Sequence, residues 1–212
     1  MFRLGYNTNG FKGHPLLVAI AILADIGYRS VAITIDHHAI NPWAPDIDEQ
    51  LSAVKRLLHR KQMRCVIETG AGFLLDPWNK HQPTLISAAP QGRKRRLDFL
   101  KRAVEIAACL DAEAVSFWAG QPADEVDRKQ ARTWLVEACR ALCDSAERHD
   151  VALALEPEPG MLVESLSDYA RLKAEIGHHR FGLALDLGHA HLTETCSLAE
   201  VVETYRDDIR TI

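Results

Sequence analysis

The chain has 212 residues, 47% of them hydrophobic and 25% charged, which is enough apolar material for a proper core and too much for a disordered tail or a fibre. A formal charge of −4 and a pI near 6.2 argue against a protein whose main task is to coat the phosphate backbone of nucleic acid. No run of about 18 uncharged apolar residues occurs, and the N-terminus enters a strand-like segment, Phe2 to Asn7, with no basic region ahead of an apolar one; the expectation is a cytoplasmic protein with no membrane segment.

Short β-branched or apolar runs alternate along the chain with longer segments of helical period, the pattern of βαβ units on a parallel sheet. The first strand is expected at Arg3 to Asn7 and the first helix at Pro15 to Ile26. Ser30 to Ile35 and a helix over Ile47 to Lys61 form the second unit. The third strand, Arg64 to Glu68, enters its helix, Lys94 to Leu110, through a loop from Gly70 to Gly92. That loop is far longer than the roughly 2 to 6 residues usual between strand and helix, which marks a segment that carries function or moves. Ala114 to Trp118 is the fourth strand, followed by a helical stretch over Ala123 to His149 in one piece or two. Ala152 to Glu156 pairs with a helix over Leu166 to Ile176, and Gly182 to Leu187 with one from Ser197 to about Tyr205. Ile209 to Ile212 reads as the start of a seventh strand.

Local signals agree with these boundaries: Asp46 is placed to cap the second helix, Ser165 with Asp168 spells a capping box, and Gly27 and Gly177 follow helix ends where a left-handed residue is wanted. Strands recur about every 35 residues, the spacing of a parallel (β/α)8 TIM barrel. The expected fold is therefore α/β, a single barrel domain over residues 1–212 that covers about six βα units and lacks the last strands of a full barrel. Such a chain is a fragment, or its open edges are covered by something else. A doubly wound open sheet is the competing arrangement, but Gly10 and Gly13 alone do not make the glycine-rich phosphate turn that should follow its first strand.

The five cysteines, Cys65, Cys109, Cys139, Cys143 and Cys196, lie mostly in apolar helical or strand-like stretches and are expected to be buried, reduced thiols. Cys139 and Cys143 share a helix face, yet no second pair completes a tetrahedral thiolate site, which makes core packing the better reading.

In a parallel barrel the working residues stand at the carboxyl ends of the strands and in the loops that follow. Strand one ends at Asn7, strand two at Asp36-His37-His38, strand three at Glu68, strand five at Glu156-Pro157-Glu158 and strand six at Asp186-Leu187-Gly188-His189. Only strand four ends without an ionisable or amide group, in Trp118-Ala119-Gly120. Neighbouring strand ends bring Glu156 and Asp186 to one point, and His189, three residues on, adds an imidazole. Two carboxylates and a nitrogen suit Mn²⁺, Co²⁺, Zn²⁺ or Mg²⁺. Around this centre, one of His37 and His38, with His38 preferred, is placed to touch a substrate hydroxyl, Glu68 to bind hydroxyls or orient a water, and Trp118 to wall a sugar ring. The run Arg93-Lys94-Arg95-Arg96 is either a solvated basic face or a phosphate site at a helix N-terminus.

The motif Leu-Glu-Pro-Glu-Pro-Gly at 155 to 160 and the motif Leu-Asp-Leu-Gly-His-Ala-His at 185 to 191 resemble the xylose isomerase-like TIM barrels, especially their sugar-phosphate isomerases and epimerases. The same superfamily contains the AP endonucleases. The resemblance implies that Glu156 and Asp186 bind a metal and that His189 contacts substrate or the ion. It also implies further ligands after strands seven and eight, beyond Ile212, and a second catalytic glutamate where this chain carries Leu162, with Glu158 or Glu164 as the substitute. The implied function is a divalent-metal-dependent isomerase or epimerase acting on a sugar, sugar phosphate or related polyol, with His189, Glu156 and Glu158 in catalysis and His38, Glu68, Trp118 and His189 around the substrate. The alternatives are an AP-endonuclease-like phosphodiesterase, which the acidic balance disfavours, and a barrel that has lost turnover. A small sugar-like molecule is the expected partner, and a homo-oligomer is compatible with the sequence.

Overall fold

The computed structural model describes residues 3–123 and 125–212. Seven parallel strands form one sheet in strict sequence order: β1 (Gly5–Asn7), β2 (Ser30–Thr34), β3 (Arg64–Glu68), β4 (Ala114–Trp118), β5 (Ala152–Glu156), β6 (Phe181–Ala184) and β7 (Ile209–Thr211). The sheet curls into a partial (β/α) barrel with helices outside it, and β1 and β7 stand at its two edges. The helices are α1 (Leu16–Asp25), α2 (Ile47–Lys61), α3 (Pro90–Cys109), α4 (Arg128–Arg148), α5 (Leu166–Ile176), α6 (Leu187–Thr193) and α7 (Leu198–Tyr205). Phe2 of the expected first strand and Asp124 of the expected fourth helix lie outside the described residues.

Because side chains alternate across a strand, each strand sorts its residues by parity. Ile33, Ile67, Phe117, Leu155 and Leu183 face the helices in the main core, and each such burial is worth about 1.5–3 kcal/mol. The opposite face turns into the barrel and carries Ala32, Val66, Ala114, Ala154 and Ala184. These side chains are small, and they leave a cavity of about 790 Å³ open inside the barrel.

Several boundaries differ from expectation for local reasons. α3 starts at Pro90, four residues before Lys94, because proline fits the first helical turn, where its missing N–H is not needed. α4 is one helix and starts only at Arg128, after Asp127, whose side chain accepts from the Gln130 N–H. Asp46 precedes α2 but makes no cap; its Oδ1 accepts from Gln50 Nε2 instead. The Ser165–Asp168 capping box and the left-handed Gly177 are formed as expected. β6 ends at Ala184, and the residues after it turn into α6, a helix the sequence reading did not include. Cys65, Cys139 and Cys143 are buried as expected, whereas Cys109 and Cys196 are exposed. Burial pushes the Cys65 and Cys143 thiols up to about 12.

Candidate functional site

Parity also builds the site. Glu68, Ser116, Trp118 and Glu156 share the inward-facing parity of the alanine layer, one or two steps nearer the carboxyl end, with Glu68 beside Ser116 and Trp118 beside Glu156 in register. Asp186 lies two residues past the end of β6 and serves as the N-cap of α6: its Oδ1 accepts from the His189 backbone N–H at 2.9 Å. The spacing of the Asp-Leu-Gly-His motif thus has a physical basis, since an N-cap and the third residue of the helix lie on one side of the first turn. One turn of helix brings the imidazole back over the carboxylates. Ligand atoms of Glu156, Asp186 and His189 all lie within 4.8 Å of one another.

The electrostatics of this cluster lack a positive charge. Burial, then the carboxylates of Glu68, Glu158 and Asp186, push the Glu156 carboxyl up to about 8. Glu68 is raised as well, by burial, against the pull of the Ser116 hydroxyl, which donates to its Oε2 at 2.5 Å. Among the described residues, no lysine or arginine pairs with Glu68, Glu156 or Asp186. His189 Nδ1 is buried without a hydrogen-bond partner among the described residues, and the nearest carboxylate atom, Glu156 Oε1, is 3.5 Å away. A buried orphan nitrogen facing two carboxylates is the donor set of a divalent-cation site, and a cation there relieves the repulsion that raises Glu156. The residues present therefore fit the metal that the family implies.

The other expected site residues separate into two places. Glu68, Ser116, Glu156 and Asp186 line the barrel cavity together with Asn7 and Tyr6. Trp118 stands beside Glu156 at the mouth, and Glu158 is close enough to raise the Glu156 carboxyl. His38 is exposed, its backbone N–H donating to Asp36 Oδ1 at 2.8 Å, and it borders a separate crevice with Thr8, Phe11 and His14. Leu162, where the family resemblance implies a second glutamate, is buried, and its N–H donates to Gly120 O at 2.9 Å.

The basic run divides: Lys94 and Arg95 are exposed, as a solvated face requires, whereas Arg93 and Arg96 are engaged by the protein itself. Arg93 Nη1 donates to the carbonyls of Ser87 and Ala88, both at 2.7 Å, with its guanidinium 3.7 Å above the Trp134 ring. Lys94 pairs with Asp98. Arg96 is fully buried: its guanidinium lies 4.6 Å from the Trp118 centroid, Nη2 donates to Thr69 O at 2.8 Å, and Nη1 has no partner among the described residues. Sequence reasoning missed Arg96 and Ser116, although signals existed. Arg96 falls on the Phe99, Leu100 and Ala103 face of α3, and Ser116 has the inward parity of β4.

The long loop between β3 and α3 is packed, with Leu74, Leu75, Leu85 and Ile86 buried. It presses on the mouth at Gly120, whose φ is +101° and whose added Cβ would sit 2.6 Å from Thr84 Cβ. Gly120→Ala therefore combines a disallowed backbone with a clash, and a loss of about 2–4 kcal/mol in urea unfolding is expected; a variant within about 0.5 kcal/mol of the parent would contradict this packing.

At the opposite end of the barrel, Glu147, His178 and His179 also bring ligand atoms within 4.8 Å of one another. There, however, Arg180 Nε donates to Glu147 Oε2 at 2.9 Å and holds that carboxyl below its usual range, and the Arg180 N–H donates to His178 Nδ1. The cluster already has its cation.

A partial parallel barrel with an acidic, histidine-bearing cluster at its carboxyl end defines the broad class, an α/β barrel with a candidate metal centre. Residues 20–212 match the family model described as the xylose isomerase-like TIM barrel, and the chain belongs to that family. Among solved structures it is similar to 3-keto-D-glucoside 4-epimerase, YcjR, from E. coli, with 14% identity and a TM-score of 0.79 over 99% of this chain and 77% of that one. It is also similar to D-psicose 3-epimerase from Clostridium cellulolyticum H10, with 17% identity and a TM-score of 0.76 over 98% and 71%. A family 2 AP endonuclease from Brucella melitensis aligns with 19% identity and a TM-score of 0.73 over 99% and 77%. No curated protein matches the sequence. Among the described residues, no helix is long and apolar enough to cross a membrane.

Proposed function

We propose that this chain is a divalent-metal-dependent isomerase or epimerase acting on a keto sugar or related polyol. The observation that carries this reading is the orphaned, buried His189 Nδ1 facing Glu156 within a set of three ligand atoms that includes Asp186. The names of the similar structures, sugar epimerases among them, support the substrate class. Glu156, Asp186 and His189 would hold Mn²⁺, Co²⁺, Zn²⁺ or Mg²⁺, and the bound ion would supply Lewis-acid polarisation of substrate oxygens.

The chain's own residues do the rest. Glu156 and Glu158 move the proton at the carbon next to the carbonyl. His189 also contacts a substrate oxygen. Glu68, oriented by Ser116, accepts hydrogen bonds from substrate hydroxyls, and Trp118 offers its indole to the apolar face of the sugar. The free cysteines fit a reducing, cytoplasmic compartment.

The test is elemental analysis of protein purified without chelator, beside Glu156→Ala and Asp186→Ala, together with NMR of ketohexoses incubated in D₂O. Near-stoichiometric metal in the parent, absent from both variants, and deuterium entering the carbon beside the carbonyl are expected. A parent that takes up no added divalent metal ends this reading.

A further inference from the structure

The loop after β3 carries a histidine whose tautomer the structure determines. His81 Nδ1 lies 2.5 Å from Gly70 O. A carbonyl oxygen only accepts, so Nδ1 bears the proton, and in the neutral ring Nε2 is left as an acceptor. Nε2 makes no hydrogen bond among the described residues, and it is not one of their buried unpartnered atoms. The residue is fixed from its backbone as well, with its N–H donating to Gly72 O at 2.6 Å and a φ of +66°. A left-handed, non-glycine residue held by two hydrogen bonds is a costly arrangement of the kind that persists where a side chain must be aimed.

The direction of aim follows from its neighbours. Gly70 is two residues past Glu68, and the His81 ring meets Trp118 edge-on with centroids 5.7 Å apart. Trp118 is the register partner of Glu156. Arg96 holds the same wall from behind, through the Trp118 ring and Thr69 O. Imidazole and indole therefore meet next to the β3 and β5 strand-end carboxylates, and His81 Nε2 is an unpartnered acceptor beside that indole, where the other unpartnered atom, Arg96 Nη1, is a buried donor.

We propose that His81 is a substrate-contacting residue, its Nε2 accepting a hydrogen bond from a hydroxyl of a sugar or polyol laid against Trp118. This role rests on the sugar-enzyme reading above. It makes the long loop the part of the molecule that selects among hydroxyl configurations, since an acceptor at one fixed point favours the epimer whose hydroxyl reaches it.

Two substitutions separate this role from a structural one. His81→Asn keeps an N–H for Gly70 O and tolerates the left-handed backbone but leaves no acceptor at the position of Nε2, its own Oδ1 lying closer to the backbone; His81→Gln extends an amide acceptor to near the position of Nε2. With Mg²⁺-loaded protein, His81→Asn is expected to match the parent in melting temperature and metal content and to bind D-fructose, D-psicose or D-tagatose about three- to tenfold more weakly, the value of one hydrogen bond. His81→Gln should recover most of that loss. In long-range ¹H–¹⁵N spectra, the unprotonated Nε2 resonance of His81 should move as sugar is added. A sugar that perturbs the Trp118 indole while leaving the His81 resonance and His81→Asn affinity unchanged overturns the role of His81 and leaves the enzyme reading standing. If none of the three sugars perturbs either residue, the sugar reading fails and the role of His81 falls with it.

Discussion

Glu156→Gln is expected to lower deuterium wash-in at the carbon beside a ketose carbonyl by about a thousandfold or more. The size follows from two losses at once: a positioned acid–base group contributes about 10²–10⁴ in rate, and one of the three candidate donors among the described residues is removed. Asp186 allows a cleaner dissection because it has two duties. Its Oδ1 caps α6 and its carboxylate faces the cluster. Asparagine is as good an N-cap as aspartate, whereas alanine costs about 1 kcal/mol. Asp186→Asn should therefore keep the parent's stability and lose metal and exchange activity, and Asp186→Ala should lose both kinds of property. Equal activity in the parent and Asp186→Asn, measured by wash-in under saturating cation, would remove Asp186 from the site.

Stability of the cation-free protein should fall as pH rises from about 6 to 8.5. The sign follows from where the proton sits. Folded Glu156 holds its proton up to about 8, against an ordinary value of 4.5, so in that window the folded chain binds a proton that the unfolded chain does not. The contribution is complete below the ordinary value and is lost as pH climbs through the folded one. Glu68, raised by burial, adds in the same direction. The depressed carboxyls of Asp168 and Glu147 act only at lower pH, the raised Cys65 and Cys143 thiols only above their ordinary 9.0, and the buried Arg96, lowered to about 9, acts in the opposite direction near the upper end, so the fall below about pH 8 is the part that reports the cluster. A loss of a few kcal/mol corresponds to a drop in melting temperature on the order of 5–10 °C for a domain of this size. Saturating divalent cation and Glu156→Gln should each flatten the profile. A flat profile in the untreated, cation-free parent would falsify the assignment.

The strands and most helices were legible because period-2 and period-3.6 patterns report local burial, and the parity that hides Ile67 and Leu155 also turns Glu68 and Glu156 inward. Strand ends were harder to place where a side chain competes with the ladder. Asp186 stops β6 by capping a helix, and the apolar Leu185 and Leu187 around it mimic continued strand. The cluster of Glu156, Asp186 and His189 could be read from strand order, since consecutive parallel strands adjoin, and from the three-residue spacing of His189 after Asp186. Arg96 and His81 could not be placed that way: one is a charge packed against an indole, the other sits on an irregular loop whose path depends on contacts with Thr84, Gly120 and Trp118.

Asp186 ties the fate of α6 to the contents of the barrel mouth. The same carboxylate starts a seven-residue helix and is one of the three candidate ligands, and so short a helix has little stability of its own. A cation held by this carboxylate would therefore be felt along the backbone: amides from His189 to Glu194 should exchange with solvent deuterium more slowly when cation is added. The segment becomes a local thermometer for the site, readable without any substrate.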